Sequence, residues 1–334
     1  MRTQEAVHRY EPVTELGATA IVVTHNSYAH IGECLAALRA SGVAVRVVDN
    51  ASTDGTTSLV AASYPDTWLV ANTDNVGFAA AVNQALAGVT TDVVLLVNPD
   101  CVLREGTAEA LVKLLRDHPD IGIAGPRLVG PDGRPRVSAH PFESWVSVVV
   151  SRFGGSLLPV AVRRLLCGKR RRQTYDACRH EPGAPIDVDW LSGACLAVRT
   201  SLLHELGGLD AAYFMYYEDE ELCLQAGKRG ARVVYLPSVQ AMHIGGASTN
   251  DPRRIWPHLY RSMMRFFVRH RRRSYPVVRL AVLVRALLGI VLAGARSLTR
   301  STTARARARA WAEVARIALA AKPSAIERGN TCTF

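Results

Sequence analysis

The feature that most constrains the fold is a series of short apolar runs that alternate with helical patterns. Strands are predicted at 18–24, 43–49, 68–71 and 92–97, and helices at 30–40, from Asp54-Gly55 onward, and at 77–87. The first of these helices places four apolar residues on one face: Ile31, Cys34, Leu35 and Leu38. Near-continuous apolar strands between helices indicate a sheet covered on both faces. The sequence therefore predicts an α/β fold with a Rossmann-like, mostly parallel sheet.

The pattern weakens in the middle of the chain. Residues 131–187 contain a Pro-Asp-Gly turn and a basic run at 168–172, so we predict a variable insertion there. A strand pattern returns at 187–198 and is followed by a helix and a strand at 232–236. The predicted organisation is an N-terminal extension (1–17), an α/β domain (18–250) and a C-terminal basic helical segment (251–334).

Positive charge is concentrated in the C-terminal segment. Residues 251–334 contain 18 Lys and Arg against three Asp and Glu, whereas the first 250 residues contain 22 against 26. The apolar stretch 276–295 is interrupted by Arg279 and Arg285. A central Arg costs about 2.5–3.5 kcal/mol in a spanning helix, so a spanning role is disfavoured.

On a helix, the arginines of this stretch and its continuation share one side, within an arc of about 120°: Arg279, Arg285, Arg296 and Arg300. A basic stripe on an apolar helix favours an amphipathic helix lying on an anionic membrane surface. The alternative is a helix docked on the α/β domain with a solvated charged face.

Cysteine usage and the N-terminus bear on location. The seven cysteines are odd in number and form no Cys-x-x-Cys pair, which argues against a disulfide framework or a zinc site. The first sixteen residues are polar and charged and lack the apolar core of a signal peptide. We therefore expect a cytoplasmic protein that is peripheral on the inner face of the membrane.

Polar residues follow the predicted strands, where ligands of parallel sheets bind. Thr24 and Asn26 follow the first strand, Asp49 ends the second, and Asn75 and Gly77 precede the Ala-rich helix. An Asp at this edge can accept hydrogen bonds from a base or a ribose. Turn formation explains Asp49 equally well, and close helix packing explains the Asn-Val-Gly segment equally well.

The fourth strand runs into Asn98-Pro99-Asp100. A carboxylate here, with a second oxygen ligand two residues earlier, suits a hard divalent cation. An ordinary Asn-Pro turn is the alternative. His243 could supply an imidazole ligand, although a lone His is more often structural.

Four consecutive acids, Glu218 to Glu221, follow an aromatic run. Acids are favoured at a helix N-terminus by the helix dipole, which is one explanation. Aromatic neighbours also predict a partly desolvated carboxylate whose pKa is raised toward that of a useful base. Trp190, Ser192 and Gly193 could line the same cleft.

In this order and spacing, the motifs resemble family-2 glycosyltransferases of the GT-A fold. The resemblance covers about residues 18–270, and its strongest segments are VVTHNS, VVDNASTDGT, NVGFAAAVN, LLVNPD, WLSGA, GGLDAAYFMYYEDEEL and HIGGAS. The Asn-Pro-Asp form, the Glu-Asp pair and the late His look most like bacterial rhamnosyltransferases. The motifs also resemble those of actinobacterial enzymes that transfer L-rhamnose from dTDP-rhamnose to N-acetylglucosaminyl-diphospho-decaprenol in cell-wall linker synthesis.

The resemblance implies a role for each candidate residue. It implies that the nucleotide sugar is bound by Thr24, Asn26, Asp49, Asn75, Gly77 and Asn98. It implies that Asp100 and His243 hold Mg²⁺ or Mn²⁺ and that Asp219 is the catalytic base of an inverting transfer. The acceptor cleft would be lined by Trp190, Ser192, Gly193 and Glu218.

Two departures and three rival functions accompany the resemblance. Asn98 replaces the first Asp of the family's Asp-x-Asp motif, and Glu221 replaces the final Asp of Glu-Asp-x-Asp. A transferase for another sugar, such as galactofuranose, remains an alternative. A dehydrogenase is disfavoured because no Gly-x-Gly-x-x-Gly follows the first strand. Nucleic acid is not an expected partner, because the Arg-rich segment is interleaved with Leu, Val and Ala rather than with stacking aromatics.

Overall fold

The computed structural model describes residues 5–8, 14–153, 183–245, 251–297 and 302–320. The chain divides into two compact units. The first contains residues 1–141, 173–211 and 218–248, and the second contains residues 142–172, 212–217 and 249–334. The predicted basic run at 168–172, the end of the HIGGAS motif (246–248), the Arg296 side chain and Arg300 lie outside what the structure describes.

The first unit is built on a mixed sheet with helices packed against it. Its strands are β1 (Glu5–His8), β2 (Ala18–Thr24), β3 (Ala44–Asn50), β4 (Trp68–Asn72), β5 (Val93–Val97), β6 (Cys101–Leu103), β7 (Ile121–Val129), β8 (Pro135–Arg136), β9 (Ala139–His140), β10 (Ile186–Asp187), β11 (Trp190–Leu191), β12 (Cys195–Arg199) and β13 (Arg232–His243). Its helices are α1 (Tyr28–Ala40), α2 (Thr56–Ser63), α3 (Phe78–Leu86), α4 (Thr107–Asp117), α6 (Thr200–Leu206) and α7 (Glu218–Lys228). The second unit contains α5 (Trp145–Arg152), α8 (Pro252–His270), α9 (Tyr275–Ser297) and α10 (Thr302–Ala320).

The main strand order is β1-β4-β3-β2-β5-β12-β7-β13-β10. Strands β4, β3, β2 and β5 are parallel neighbours, and β13 is parallel to β7. Strand β12 runs antiparallel between β5 and β7. Every residue of β2, β3 and β5 is buried, and the four predicted residues of α1 pack into the core. The predicted α/β fold with a mostly parallel sheet and a C-terminal helical segment is confirmed.

One buried charge interrupts the apolar core. Arg46 lies in β3 and is 3% exposed. Its guanidinium donates to the carbonyls of Ala85, Ala87 and Gly88 at distances of 2.9, 2.6 and 3.2 Å, and it lies over the Trp68 ring. These carbonyls lie in and just after the last turn of α3, where the helix itself leaves acceptors unsatisfied. Arg46 therefore fixes the end of α3 to the sheet.

We expect Arg46→Met to lower the free energy of unfolding by about 3 kcal/mol, because buried carbonyls lose a charged donor. Urea unfolding followed by circular dichroism would measure the change. Arg39→Met is the matched control, since Arg39 is exposed, pairs with exposed Asp66 and lies over the Tyr64 ring, and surface pairs contribute about 0–1 kcal/mol. Equal losses for the two variants would contradict a special role for Arg46.

Two predicted strands differ from those in the structure. The strand pattern at 187–198 is divided into β10, β11 and β12. The segment around β11 leaves the main sheet and pairs with β9, and the Ser192 N–H donates to Ser138 O. The strand at 232–236 continues to His243 through a register shift between Leu236 and Gln240. Pro237 lies in that shift and has no N–H for the ladder. The extension makes His243 the last residue of a strand.

In the second unit, α10 packs against α8 and α9. The Trp311 ring of α10 lies 4.2 Å from Trp256 and 5.9 Å from Tyr260 of α8, measured between ring centroids. One helix among the described residues, within 275–294, is long and apolar enough to cross a membrane by length and composition. Two of the four arginines of the expected stripe, Arg279 and Arg285, are described with their side chains, and both are partly exposed. Arg279 donates to the carbonyls of Ala318 and Leu319, and the Arg285 guanidinium lies 4.4 Å from the Trp311 ring centroid.

Candidate active site

Two predicted site residues meet at the carboxyl ends of β2 and β3. Thr24 and Asp49 are opposite each other in the parallel ladder, and both are buried. The Thr24 hydroxyl donates to Asp49 Oδ2 at 2.8 Å, and the Ser52 N–H donates to Oδ1 at 2.8 Å. Asp49 thus orders the loop that follows β3, as the turn alternative predicted, and its carboxylate is fixed at the ligand-binding edge of the sheet.

Asn26 joins the loops after β2 and β3. Its backbone has φ of +54°, a conformation that Asn tolerates better than most residues. Its N–H donates to Ser52 Oγ at 2.8 Å, and its Oδ1 accepts from the Thr53 N–H at 2.8 Å. The position of Asn26 is therefore set by the same loop that Asp49 orders.

The loop after β4 reaches the same edge. The Gly77 N–H donates to Asn75 Oδ1 at 3.0 Å, and Gly77 O accepts from Asn50 Nδ2 at 3.2 Å. Gly77 has φ of +88° immediately before α3, which disfavours any residue with a Cβ. The residues predicted to bind the nucleotide sugar from Thr24 to Gly77 therefore lie along three adjacent strand ends.

The Asn98-Pro99-Asp100 segment forms a turn after β5. The Cys101 N–H donates to Asn98 O at 3.0 Å, and the Asn98 N–H donates to Ala194 O at 3.0 Å. This is the turn that the sequence allowed as an alternative. It also connects the end of β5 to the segment between β11 and β12, which carries Gly193.

Pairing of β6 with β13 brings His243 to Asp100. His243 lies opposite Cys101 in the ladder, and its Nε2 is 3.3 Å from Asp100 Oδ1. The Gly245 N–H donates to Asp100 Oδ2 at 2.9 Å. Burial alone would raise the pKa of Asp100, but the hydrogen bond and charge of His243 and the Gly245 N–H together hold it below its usual value. The site therefore favours the carboxylate form.

The separation of this pair is compatible with two ligands of one cation. Adjacent ligands at about 2.1 Å from an octahedral cation lie about 3 Å apart, close to the observed separation of 3.3 Å. Within the described part of the chain, no group of three or more His, Cys, Asp and Glu is arranged to hold a metal. A cation held by Asp100 and His243 would therefore need further ligands from water and substrate phosphates, as is typical of Mg²⁺.

The Glu-Asp pair is positioned by an unusual backbone turn. Tyr216 and Tyr217 both have φ of +69°, which is costly for residues with bulky side chains. The Ser262 hydroxyl donates to Met215 O at 2.9 Å, and the Tyr217 hydroxyl bonds to Glu143. These contacts lie within the second unit and support the turn from which α7 begins.

Asp219 is held by two backbone donors. The Gly193 N–H donates to its Oδ2 at 2.9 Å, and the Glu220 N–H donates to its Oδ1 at 2.8 Å. Burial raises the pKa of Asp219, although these hydrogen bonds partly offset the rise. Each oxygen keeps further acceptor capacity, so the carboxylate is oriented and can still receive a proton.

Glu218 and Trp190 complete the predicted cleft residues. Burial and the charge of Asp219 raise the pKa of Glu218 to about 8, and its Oε2 has no hydrogen-bond partner among the described residues. The Trp190 ring stacks on His140 with centroids 4.3 Å apart, and its Nε1–H donates to Pro141 O at 3.1 Å. Trp190 is thus rigidly held on the strand that leads to Ser192 and Gly193.

Glu218 should make stability depend on pH. Its ordinary pKa of 4.5 is raised to about 8 in the folded protein, so its stabilising contribution is complete below pH 4.5 and is lost as pH rises toward 8. We expect the Tm of Glu218→Gln to exceed that of the wild type by an amount that grows over this window. Glu205→Gln, at an exposed position of α6, is the matched control for the loss of an acidic side chain. A pH-independent difference for Glu218→Gln would contradict the raised pKa.

Sequence reasoning did not identify three residues near these groups. Ser52 lies within a quoted motif and binds both Asn26 and Asp49, so a closer inspection of that motif would have found it. His140 and Arg136 lie in the predicted variable insertion, where no spacing signals a site. Arg136 Nη1 is 3.3 Å from the point that a Cβ on Gly245 would occupy, which places a cation beside the loop that binds Asp100.

Comparisons with known proteins identify the family of this chain. The family model Glycosyl transferase family 2 matches residues 19–166. The chain is 32% identical over 249 residues to N-acetylglucosaminyl-diphospho-decaprenol L-rhamnosyltransferase of Mycobacterium tuberculosis (strain ATCC 25618 / H37Rv), a match that covers 70% of this chain and 78% of that protein. It is also 43% identical over 56 residues to rhamnosyltransferase WbbL of Escherichia coli (strain K12), covering 17% of this chain and 21% of that protein.

A solved structure has the same fold. The mannosyltransferase PcManGT from Pyrobaculum calidifontis, in complex with GDP-Man and Mn²⁺, is similar with a TM-score of 0.51 and 19% sequence identity. The similarity covers 93% of this chain and 90% of that chain. At this level of identity the likeness concerns the fold.

Proposed function

The chain belongs to glycosyltransferase family 2, and on this premise we propose that it transfers L-rhamnose from dTDP-rhamnose to N-acetylglucosaminyl-diphospho-polyprenol with inversion. The main support is the 32% identity to a rhamnosyltransferase over 78% of that protein's length. Asp49 and Asp100 lie at the ends of strands, and Asp219 is bound by Gly193, whose neighbour Ala194 accepts from Asn98 after β5. This arrangement is consistent with a nucleotide-sugar site. The proposed function thus specifies the donor sugar, the acceptor and the inverting reaction.

The donor would lie across the carboxyl ends of β4, β3, β2 and β5. Thr24, Asn26 and Asp49 would border the nucleotide, because Asp49 is buried yet fixed at the sheet edge. Asn75 and Gly77 would lie near the ribose and diphosphate, where the glycine allows close backbone approach. Asn98 would contact the donor next to the metal.

Asp100 and His243 would hold Mg²⁺ or Mn²⁺ together with the donor diphosphate. When bound, the cation offsets the negative charge that grows on the leaving nucleotide diphosphate. Asn98 in place of an acid leaves a single carboxylate, so donor phosphates would contribute much of the affinity for metal. The Arg136 guanidinium beside Gly245 would add positive charge on the same side.

Asp219 would act as the base. Its Oδ2 is oriented by Gly193, and its raised pKa improves it as a proton acceptor. The acceptor hydroxyl gives its proton to Asp219 and attacks the anomeric carbon from the face opposite the diphosphate, so one displacement inverts that centre. Burial and the charge of Asp219 raise the pKa of Glu218 to about 8, which favours the protonated form of Glu218 beside the proposed base.

A polyprenyl-linked acceptor would place the enzyme at the cytoplasmic face of a membrane. The basic C-terminal segment carries 18 Lys and Arg against three Asp and Glu, which suits an anionic lipid surface. The candidate spanning stretch within α9 is consistent with membrane association.

Transfer of radiolabelled sugar tests the proposal. Full-length protein would be incubated with Mg²⁺ or Mn²⁺, dTDP-rhamnose and a synthetic N-acetylglucosaminyl-diphospho-lipid, with GDP-mannose and UDP-galactofuranose as alternative donors. We expect transfer from dTDP-rhamnose only, and a product whose new linkage is inverted by NMR. A folded protein that uses another donor instead would refute the rhamnosyl assignment and retain the family.

A further inference from the structure

The exposed face of α9 is aliphatic. Seven large side chains on this helix have exposed fractions between 39% and 66%: Val277, Leu280, Val284, Leu287, Leu288, Val291 and Leu292. Their spacing of three and four residues places them on one side of the helix. Soluble proteins rarely expose so continuous an apolar surface unless it binds a partner or a membrane.

The opposite side of α9 is bound within the second unit. Val278, Val282 and Ala286 are fully buried. Arg279 binds the carbonyls at the end of α10, and Arg285 lies on the Trp311 ring. The two arginines inside the apolar stretch therefore connect α9 to α10. The seven exposed side chains of α9 are all uncharged.

Exposed arginines lie directly before α9 in the chain and on the adjacent helix α10, and we call these the flanking arginines. Arg271, Arg272 and Arg273 are exposed directly before α9 begins. On α10, Arg305, Arg309 and Arg316 are exposed at a spacing that places them on one side of the helix. Arg305 and Arg309 also line an open basic groove of about 500 Å³ with Arg253.

The beginning of α9 combines apolar side chains with a guanidinium group, a combination that suits the boundary between lipid chains and headgroups. An open groove of about 340 Å³ lies at its beginning, lined by Tyr275, Pro276, Arg279, Leu280 and Leu283. Its lining is mostly apolar, with a guanidinium nearby. A second copy of the protein could bind an apolar face without any arginines near it. An anionic bilayer offers hydrocarbon for the apolar side chains and negative headgroups for the arginines, so it fits both features.

We propose that the aliphatic face of α9 is the membrane-binding surface of this protein, immersed among lipid chains parallel to the bilayer, with the flanking arginines on anionic headgroups. This deepens the proposed function and depends on it only for the location of the acceptor. It refines the expectation from sequence of an amphipathic helix on an anionic membrane surface, because Arg279 and Arg285 bind partners on α10.

The test is binding of the full-length protein to sedimented vesicles of phosphatidylcholine, with and without phosphatidylglycerol. Leu287→Glu and Val291→Glu change exposed side chains, so both variants should fold. Each should lower the partition coefficient at least about tenfold, because an apolar side chain loses burial and a carboxylate is added. Val137→Glu, at an exposed valine of the first unit, is the matched control and should bind as the wild type does.

Variants of Arg279 and Arg285 test whether these arginines or the aliphatic face of α9 bind the membrane. Arg279→Met and Arg285→Met should lower Tm and leave vesicle binding of the folded protein unchanged. If these two variants abolish binding while Leu287→Glu and Val291→Glu retain it, the aliphatic face is not the binding surface. A wild-type dimer that Leu287→Glu dissociates, with vesicle binding unchanged, would instead assign the face to a second copy.

Two further measurements test whether α9 lies on the bilayer surface and whether membrane binding is separate from sugar transfer. Alkaline carbonate should release the protein from vesicles, and resistance to extraction would overturn a surface-lying helix. The Leu287→Glu, Val291→Glu double variant should still transfer sugar to a short-chain, water-soluble acceptor. A wild type that binds vesicles but transfers no sugar would refute the proposed function alone, whereas transfer by a double variant that still binds vesicles would refute the membrane surface alone.

Discussion

Replacing Asp219 by Asn is expected to lower kcat for sugar transfer by about 10²–10⁴-fold, the usual contribution of a positioned general base. The substitution removes the proton acceptor and keeps the shape of the side chain. The Asn carbonyl can still accept the Gly193 N–H that now binds Oδ2. Donor binding should persist, because Asp219 lies on α7 while the proposed donor residues follow β2 to β5.

Glu221→Gln is the matched control for this prediction. Glu221 lies on the same helix, is 3% exposed, and accepts a hydrogen bond from Gln225 at 2.8 Å. Its sequence position made it a rival for the carboxylate that meets the acceptor, but its side chain is engaged within α7. We expect this variant to keep most of its activity.

Single-turnover transfer and equilibrium binding of the donor would be measured for both variants. If Glu221→Gln were inactive and Asp219→Asn active, the base would be Glu221. A loss of donor affinity in Asp219→Asn, or a large drop in its Tm, would show that the carboxylate organises the site instead of taking a proton.

The sequence predicted the sheet well because its signals are local. The run Ala18–Thr24 is apolar along its whole length, so a buried strand is the one element that satisfies it. The residues that follow parallel strands lie at one edge of the sheet, so the sequence placed Thr24 and Asp49 at the same edge. Their mutual hydrogen bond then follows from parallel register.

Contacts between distant segments were beyond local signals. The bond from Gly193 to Asp219 depends on the break between β11 and β12, where a single strand had been predicted. His243 reaches Asp100 because β13 continues past the irregularity at Pro237, although propensity ended the strand at Leu236. In both cases tertiary pairing decided the outcome.

The same limit applies to α9. Periodicity placed Arg279 and Arg285 on one side of the helix but could not identify their partners. Two carbonyls at the end of α10 and the Trp311 ring bind these partly exposed guanidinium groups. The aliphatic side chains of α9 are left exposed.

Removing the Asp100 carboxylate should have the second large effect. We expect Asp100→Ala to lower kcat/KM by about 10²–10³-fold, because the charge on the leaving diphosphate loses its main electrostatic support. His243→Ala should cost less, since neutral imidazole brings no negative charge to a cation. Donor binding should lose its dependence on metal in Asp100→Ala.

A double-mutant cycle distinguishes a shared metal from two independent roles. If Asp100 and His243 hold one cation, the double variant should be little worse than Asp100→Ala, because residues that act as a unit are not additive. Asp66→Asn removes an exposed carboxylate that pairs with Arg39 and should leave activity and metal dependence unchanged. Strictly additive losses, or full activity of Asp100→Ala in excess chelator, would mean that the 3.3 Å contact between Asp100 and His243 is a structural hydrogen bond and that the charge of the diphosphate is neutralised elsewhere, with Arg136 as the nearest candidate.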